Sequence, residues 1–62
     1  DRIVWMPDGT VAVIDYKFGV SDRPAYHSQV RRYLRMLADA GHPDARGYLW
    51  FPVKGEIIEV RP

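Results

Sequence analysis

The chain has 62 residues, of which 47% are hydrophobic and 27% charged, and its formal net charge is +1. The hydrophobic fraction excludes a disordered tail, and the absence of cysteine excludes a disulfide staple. We find neither a signal peptide nor an apolar run long enough to span a bilayer. The chain is one small domain or a piece of one, and we expect it to be excised from a longer protein.

The first two predicted strands form a hairpin. Residues 2–6 are β-branched or aromatic, and Pro7-Asp8-Gly9 is a turn signal because proline presets φ and glycine accepts a positive φ. The returning strand, residues 11–17, is apolar on both faces, which is typical of a strand inside a covered sheet. Such a sheet needs helices over it, so the pattern favours an α/β or α+β fold.

An acid and a base lie two residues apart at the end of this second strand. Successive side chains alternate between faces, so Asp15 and Lys17 share one face while Ile14 and Tyr16 share the other. Such a pair can hold a divalent metal and polarise a water beside it. The alternative is an exposed ion pair that adds little to stability.

One long helix is predicted over residues 24–40. Ser21 or Asp22 can cap its start, and Gly41 with Pro43 gives a stop signal. Helical spacing predicts one apolar stripe that packs on the sheet, made of Tyr26, Val30, Tyr33, Leu34 and Leu37.

Polar residues of the same helix are candidates for binding. Gln29 lies one turn before Tyr33, so the two side chains stand together at the edge of the stripe. Arginines cluster in this segment and can meet phosphate, although the solvated face of an amphipathic helix explains them equally well. These are Arg23, Arg31, Arg32 and Arg35.

Two further strands are predicted near residues 47–52 and 56–60, with Lys54-Gly55 as a two-residue turn between them. The predicted order is therefore strand, strand, helix, strand, strand. His27 and His42 are far apart in the sequence and do not suggest a zinc pair.

These motifs together resemble a known family. Asp1 followed by a hairpin, then Asp15-Tyr16-Lys17 as D-x-K, then a Q-x-x-x-Y motif at Gln29 and Tyr33, resemble the core of the PD-(D/E)XK nuclease superfamily. The resemblance is strongest to the RecB-type exonuclease domain at the C-terminus of UvrD/Rep-like and AddA-like bacterial helicase–nucleases. It covers most of the chain, and it favours an active site over an idle surface pair.

The resemblance implies a restriction-endonuclease-like α/β (α+β) core fragment, with a mixed sheet in the order β-β-α-β-β and one helix packed on it. Residues 1–62 would be a partial nuclease domain, because the helix and the first strand that open the family core are not present in this chain. We therefore expect the isolated fragment to be inactive, although the parent protein would be an enzyme.

The resemblance also implies a site. Asp1, Asp15 and Lys17 would be catalytic, and Mg²⁺ or Mn²⁺ would be held by Asp1, Asp15 and the main-chain carbonyl of Tyr16. Gln29 and Tyr33 would line the DNA path. Candidates for contact with the DNA backbone are Arg31, Arg32 and Arg35.

The implied function is an Mg²⁺-dependent DNA exonuclease module of an ATP-dependent helicase–nuclease, acting in DNA repair and recombination in the bacterial cytoplasm. Its partners would be DNA, the helicase part of the same polypeptide and a second helicase–nuclease subunit. One alternative is a nuclease-like domain that binds DNA or a protein without cutting. Another is a structural α/β domain with a coincidental D-x-K.

One helix can cover only one face of the sheet, so we expect large apolar side chains to remain open on the other face. A sheet edge left unpaired by the missing first strand adds a second adhesive surface. The fragment is therefore expected to self-associate, most simply as a two-fold dimer, and not to enter a membrane.

Overall fold

The computed structural model describes residues 2–62, with Arg2 described by its backbone alone. It confirms the predicted α+β fold and its element order. The elements are β1 (Arg2–Trp5), β2 (Val11–Tyr16), α1 (Pro24–Asp39), β3 (Arg46–Phe51) and β4 (Glu56–Val60). No helix within residues 2–62 is both long enough and apolar enough to cross a membrane.

The four strands form one mixed sheet in the order β1-β2-β3-β4. The outer pairs, β1 with β2 and β3 with β4, are antiparallel, whereas β2 and β3 are parallel. Parallel neighbours cannot be joined by a tight turn, so α1 crosses over the sheet between them. The first turns of α1 therefore lie near the carboxyl end of β2.

The core lies between α1 and one face of the sheet. Val30 and Leu34 of the predicted stripe are buried, while Tyr26, Tyr33 and Leu37 pack half-buried against the same core. The sheet contributes every second residue of its central strands, as strand alternation requires. These sheet residues are Val11, Val13, Leu49 and Phe51.

The first predicted turn is confirmed. The amide of Gly9 donates to the Met6 carbonyl at 3.0 Å, and Gly9 has a φ of 88°. The hydroxyl of Thr10 donates to Asp8 at 2.7 Å, and together with the Thr10 amide it holds the pKa of Asp8 below its ordinary value. The hairpin is thus closed by both backbone and side-chain bonds.

Two local predictions were wrong. The turn between β3 and β4 is not the two residues Lys54-Gly55, because Phe51 pairs with Glu56 and the loop spans residues 52–55. Pro52 cannot donate to the ladder, so β3 ends before it. Neither Ser21 nor Asp22 caps the helix: its N-cap residue is Arg23, which makes no side-chain cap bond, and the Asp22 carboxylate binds His27.

The opposite face of the sheet is open in the part of the chain that the structure describes. Ile14, Tyr48, Trp50 and Ile57 line an apolar groove of about 320 Å³ on this face. Ile57 is 65% exposed. This open face is what the expected self-association requires, and association itself stays a prediction.

Gly47 is where the helix approaches the sheet most closely. A Cβ atom at this position would collide with Cγ1 of Val30 and lie 3.1 Å from Cδ1 of Leu34. We expect Gly47→Ala to lower the free energy of unfolding by about 1–3 kcal/mol, because α1 must shift. Chemical denaturation measures this change. Gly19→Ala is the matched control, since a Cβ there meets open space, and equal effects of the two substitutions would contradict the packing.

We expect the chain to associate through the open face. Ile57→Lys should weaken association at least tenfold, because an ammonium would have to be buried in the contact. Light scattering at high micromolar concentration measures it. Val53→Lys is the control, because Val53 is 70% exposed but lies in the loop beyond β3. A wild-type chain that stays a folded monomer would contradict the prediction.

Candidate active site

Asp15 points into the face of the sheet that α1 covers. It is 3% exposed and alternates with the buried Val11 and Val13 along β2. Lys17 follows just past the end of this strand, and its amide donates to the Trp50 carbonyl at 2.8 Å. This bond extends the ladder by one step, so the backbone of Lys17 is fixed beside β3.

The carboxylate and the ammonium form a close pair. Nζ of Lys17 lies 3.2 Å from Oδ2 of Asp15, and the two side chains are 22% and 4% exposed. The alternative prediction, that Asp15 and Lys17 form an exposed ion pair, is therefore wrong. A buried carboxylate is costly unless a cation or hydrogen bonds compensate it, and Lys17 supplies that charge.

One oxygen of this carboxylate is incompletely satisfied. Oδ2 of Asp15 is buried and makes no hydrogen bond with any residue that the structure describes, although the Lys17 ammonium is within ion-pair distance. Its attraction to Lys17 is thus electrostatic, with poor hydrogen-bond alignment. A buried carboxylate oxygen of this kind can accept a further cation.

The start of α1 completes the surroundings of Lys17. Oε1 of Gln29 accepts a hydrogen bond from Nζ of Lys17 at 3.4 Å. The ring of Tyr26, one turn earlier on the same side of α1, lies with its centroid 4.5 Å from the same nitrogen. The structure therefore brings Asp15, Lys17 and Gln29 together, and it adds Tyr26.

Tyr33 is placed differently. It lines a shallow groove on α1 with Gln29, Arg32 and Met36, one turn beyond Gln29. The two members of the Q-x-x-x-Y motif thus share the groove, and Gln29 alone of the two has a hydrogen bond to Lys17. Gln29 links the groove to the buried pair.

The arginines of α1 form a patch on its solvent side. Arg31, Arg32 and Arg35 are exposed and line a shallow depression of about 250 Å³ with Ser28. Nε of Arg31 donates to the carbonyl of Arg61 at 3.2 Å. The three arginines are exposed, whereas Asp15 is buried, and Arg32 also lines the groove that contains Gln29 and Tyr33.

The other two implied metal ligands are the main-chain carbonyl of Tyr16 and the side chain of Asp1. The Tyr16 side chain lies on the open face and packs against Trp50, with ring centroids 5.1 Å apart. Its backbone groups point away from β3, since the neighbouring Lys17 amide points toward it. Asp1 lies outside the described residues. Within residues 2–62, no three His, Cys, Asp or Glu side chains form a group that could hold a metal.

The two histidines have local partners. Nε2 of His27 lies 2.8 Å from Oδ2 of Asp22, and the ring of His42 packs edge-on against Trp5 at 5.0 Å.

Tyr26 is the residue that sequence reasoning missed, because its position in the apolar stripe explained it fully. Its spacing of three from Gln29 was the signal available.

No protein-family model matches this chain, and neither a curated protein nor a solved structure matches it.

Proposed function

We propose that this chain is the core of a metal-dependent deoxyribonuclease module, working as an exonuclease in a longer helicase–nuclease. The observation that carries the proposal is the buried Asp15 carboxylate, whose Oδ2 makes no hydrogen bond within the described chain and lies 3.2 Å from the Lys17 ammonium. A purely structural ion pair gains from full hydrogen bonding, whereas a ligand site keeps an acceptor available. The family resemblance supports the same assignment.

The oxygen donors of Asp15 and Tyr16 are of the kind that a hard divalent cation takes as ligands. Carboxylate and carbonyl oxygens are the ligands that Mg²⁺ and Mn²⁺ prefer. Asp15 would supply one ligand and the Tyr16 carbonyl another. Asp1 is the third by resemblance alone. When bound, the ion supplies a more acidic water and positive charge beside a phosphate.

Lys17 would act on the phosphate or on the attacking water. Its ammonium is a compact point charge with three donors on a flexible stem, and it lies at the rim of the buried site. It would orient the water or stabilise the negative charge that develops as the phosphodiester is cleaved. Gln29, which accepts a hydrogen bond from this ammonium, would help to orient it.

The substrate is proposed to be DNA. The groove that contains Gln29 and Tyr33 would guide the strand beside the site, while the patch of Arg31, Arg32 and Arg35 would contact backbone phosphates without reading sequence. The rest of the proposal follows the resemblance: a helicase part in the same polypeptide, a second helicase–nuclease subunit, and repair or recombination in the bacterial cytoplasm.

A second function is a nuclease-like domain that binds DNA without cutting it. The exposed arginine patch favours this reading, because it needs no metal to attract phosphate. The two functions differ in whether the loss of Asp15 matters. A binding module would retain DNA affinity and have no cleavage to lose.

Cleavage of labelled DNA by the full-length polypeptide, with and without Mg²⁺, tests the proposal. We expect Asp15→Ala to abolish most cleavage, because it removes a metal ligand. Lys17→Ala should lower the rate by about 10²–10³-fold, because it removes a group that stabilises developing negative charge. Gln29→Ala and Tyr33→Phe should cost less, because they position other groups.

Asp44→Ala and Lys54→Ala are the matched controls for this series, since both residues are exposed and lie in loops. Retained folding, measured by circular dichroism, accompanies each assay. Near wild-type cleavage in Asp15→Ala would refute the site. An effect of Gln29→Ala as large as that of Asp15→Ala would show that the roles are misassigned.

A further inference from the structure

We propose that Tyr26 is a positioning residue, whose ring holds the Lys17 ammonium in place through a cation–π interaction. Nζ of Lys17 lies 4.5 Å from the ring centroid, well inside the range in which a cation is attracted to the negative face of an aromatic ring. The contact is a property of the folded chain. Its consequence for cleavage rests on the proposed function.

The ammonium is surrounded by three different kinds of partner. The Asp15 carboxylate offers a full negative charge at 3.2 Å, the Gln29 amide offers a carbonyl oxygen at 3.4 Å, and Tyr26 offers a ring face. An ammonium has three N–H donors and no acceptor, and each of these three partners attracts a positive charge. Lys17 is 22% exposed, which strengthens all three attractions relative to open solvent.

Tyr26 is itself held rigidly enough to act as a seat. Its amide donates to the Arg23 carbonyl at 3.0 Å in the first turn of α1. Its ring packs against Phe51, with centroids 6.4 Å apart and an interplanar angle of 48°, and Phe51 is 1% exposed. The Lys17 side chain has a flexible four-carbon stem, so fixing its ammonium costs rotamer entropy. The ring of Tyr26 already restricts the ammonium in the free protein, so less of this entropy remains to be lost when substrate binds.

The ring differs from Asp15 in an important respect. A divalent cation drawn to the Asp15 carboxylate would compete with Lys17 for the same negative charge, whereas the attraction of the ring face to an ammonium does not depend on that carboxylate. Tyr26 and Gln29 therefore keep Lys17 beside the site when Asp15 is engaged elsewhere. A ring that served only to fill the core would have no such effect.

Proton NMR of the metal-free 62-residue chain tests the seat directly. Protons above a ring face are shifted upfield, so the ε-methylene protons of Lys17 should lie upfield of those of Lys54. Lys54 is a suitable internal reference because it pairs with Glu56 on the surface. Tyr26→Phe should keep the shift and Tyr26→Leu should remove it. A wild-type Lys17 signal at the position of Lys54 would overturn the proposal without any variant.

Cleavage kinetics of the full-length polypeptide test the consequence. We expect Tyr26→Leu to lower kcat by about two- to thirtyfold with an unchanged Mg²⁺ dependence, and Tyr26→Phe to restore it, because Phe keeps the ring face. Tyr48→Leu is the matched control, since Tyr48 is half-buried on the open face of the sheet. Equal kcat in Tyr26→Leu and Tyr48→Leu would overturn the positioning role.

The two tests separate the two proposals. A wild-type polypeptide that does not cleave DNA would refute the nuclease function, while the NMR shift would still decide whether Tyr26 seats Lys17. A normal shift with normal cleavage in Tyr26→Leu would leave the nuclease proposal intact and refute the role of Tyr26.

Discussion

The parallel pairing of β2 with β3 is the constraint on which the rest of this structure depends. Two parallel neighbours need a crossover between them, and the single helix of the described chain is that crossover. The crossover brings the first turns of α1 over the end of β2, so Gln29 and Tyr26 reach Lys17, twelve and nine residues away in the sequence. The pairing also brings Gly47 beneath Val30, which sets how closely the helix approaches the sheet.

The burial of the Asp15 carboxylate in this fold needs a functional explanation. An apolar residue at this position would continue the pattern of Val11 and Val13 and would avoid the desolvation of a charge. The Lys17 ammonium offsets that cost, but Oδ2 of Asp15 still makes no hydrogen bond within the described chain. Residues that weaken a core in this way are typical of sites where stability is exchanged for chemistry.

Much of the fold could be predicted because its signals are local. The 2.0-residue alternation placed Asp15 and Lys17 on one face, and the 3.6-residue stripe of α1 matched the observed core at Val30 and Leu34. What failed depended on competition between neighbours. The sequence offered Asp22 as a possible cap of the helix, but in the structure its carboxylate binds His27. The loop after β3 is longer than Lys54-Gly55 because register, which is a tertiary property, decides where pairing stops.

The site was predictable in part for the same reason. Strand alternation shows which residues share a face, but it does not show which face the helix covers. The burial of Asp15 could therefore not be predicted from the neighbouring residues. In the sequence, the position of Tyr26 in the apolar stripe was enough to explain it. Its contact with Lys17 is visible only in the structure, where Nζ of Lys17 lies over the ring. A half-buried aromatic residue satisfies the core and a cation together, and a hydrophobic pattern cannot separate the two.

Paramagnetic relaxation by Mn²⁺ would show whether the end of β2 binds a divalent metal. We expect substoichiometric Mn²⁺ to broaden the backbone amide signals of Asp15 and Tyr16 before those of the exposed Asp44, and Asp15→Asn to remove this preference. Uniform broadening across the chain, or broadening near β2 that persists in Asp15→Asn, would refute a metal site at Asp15.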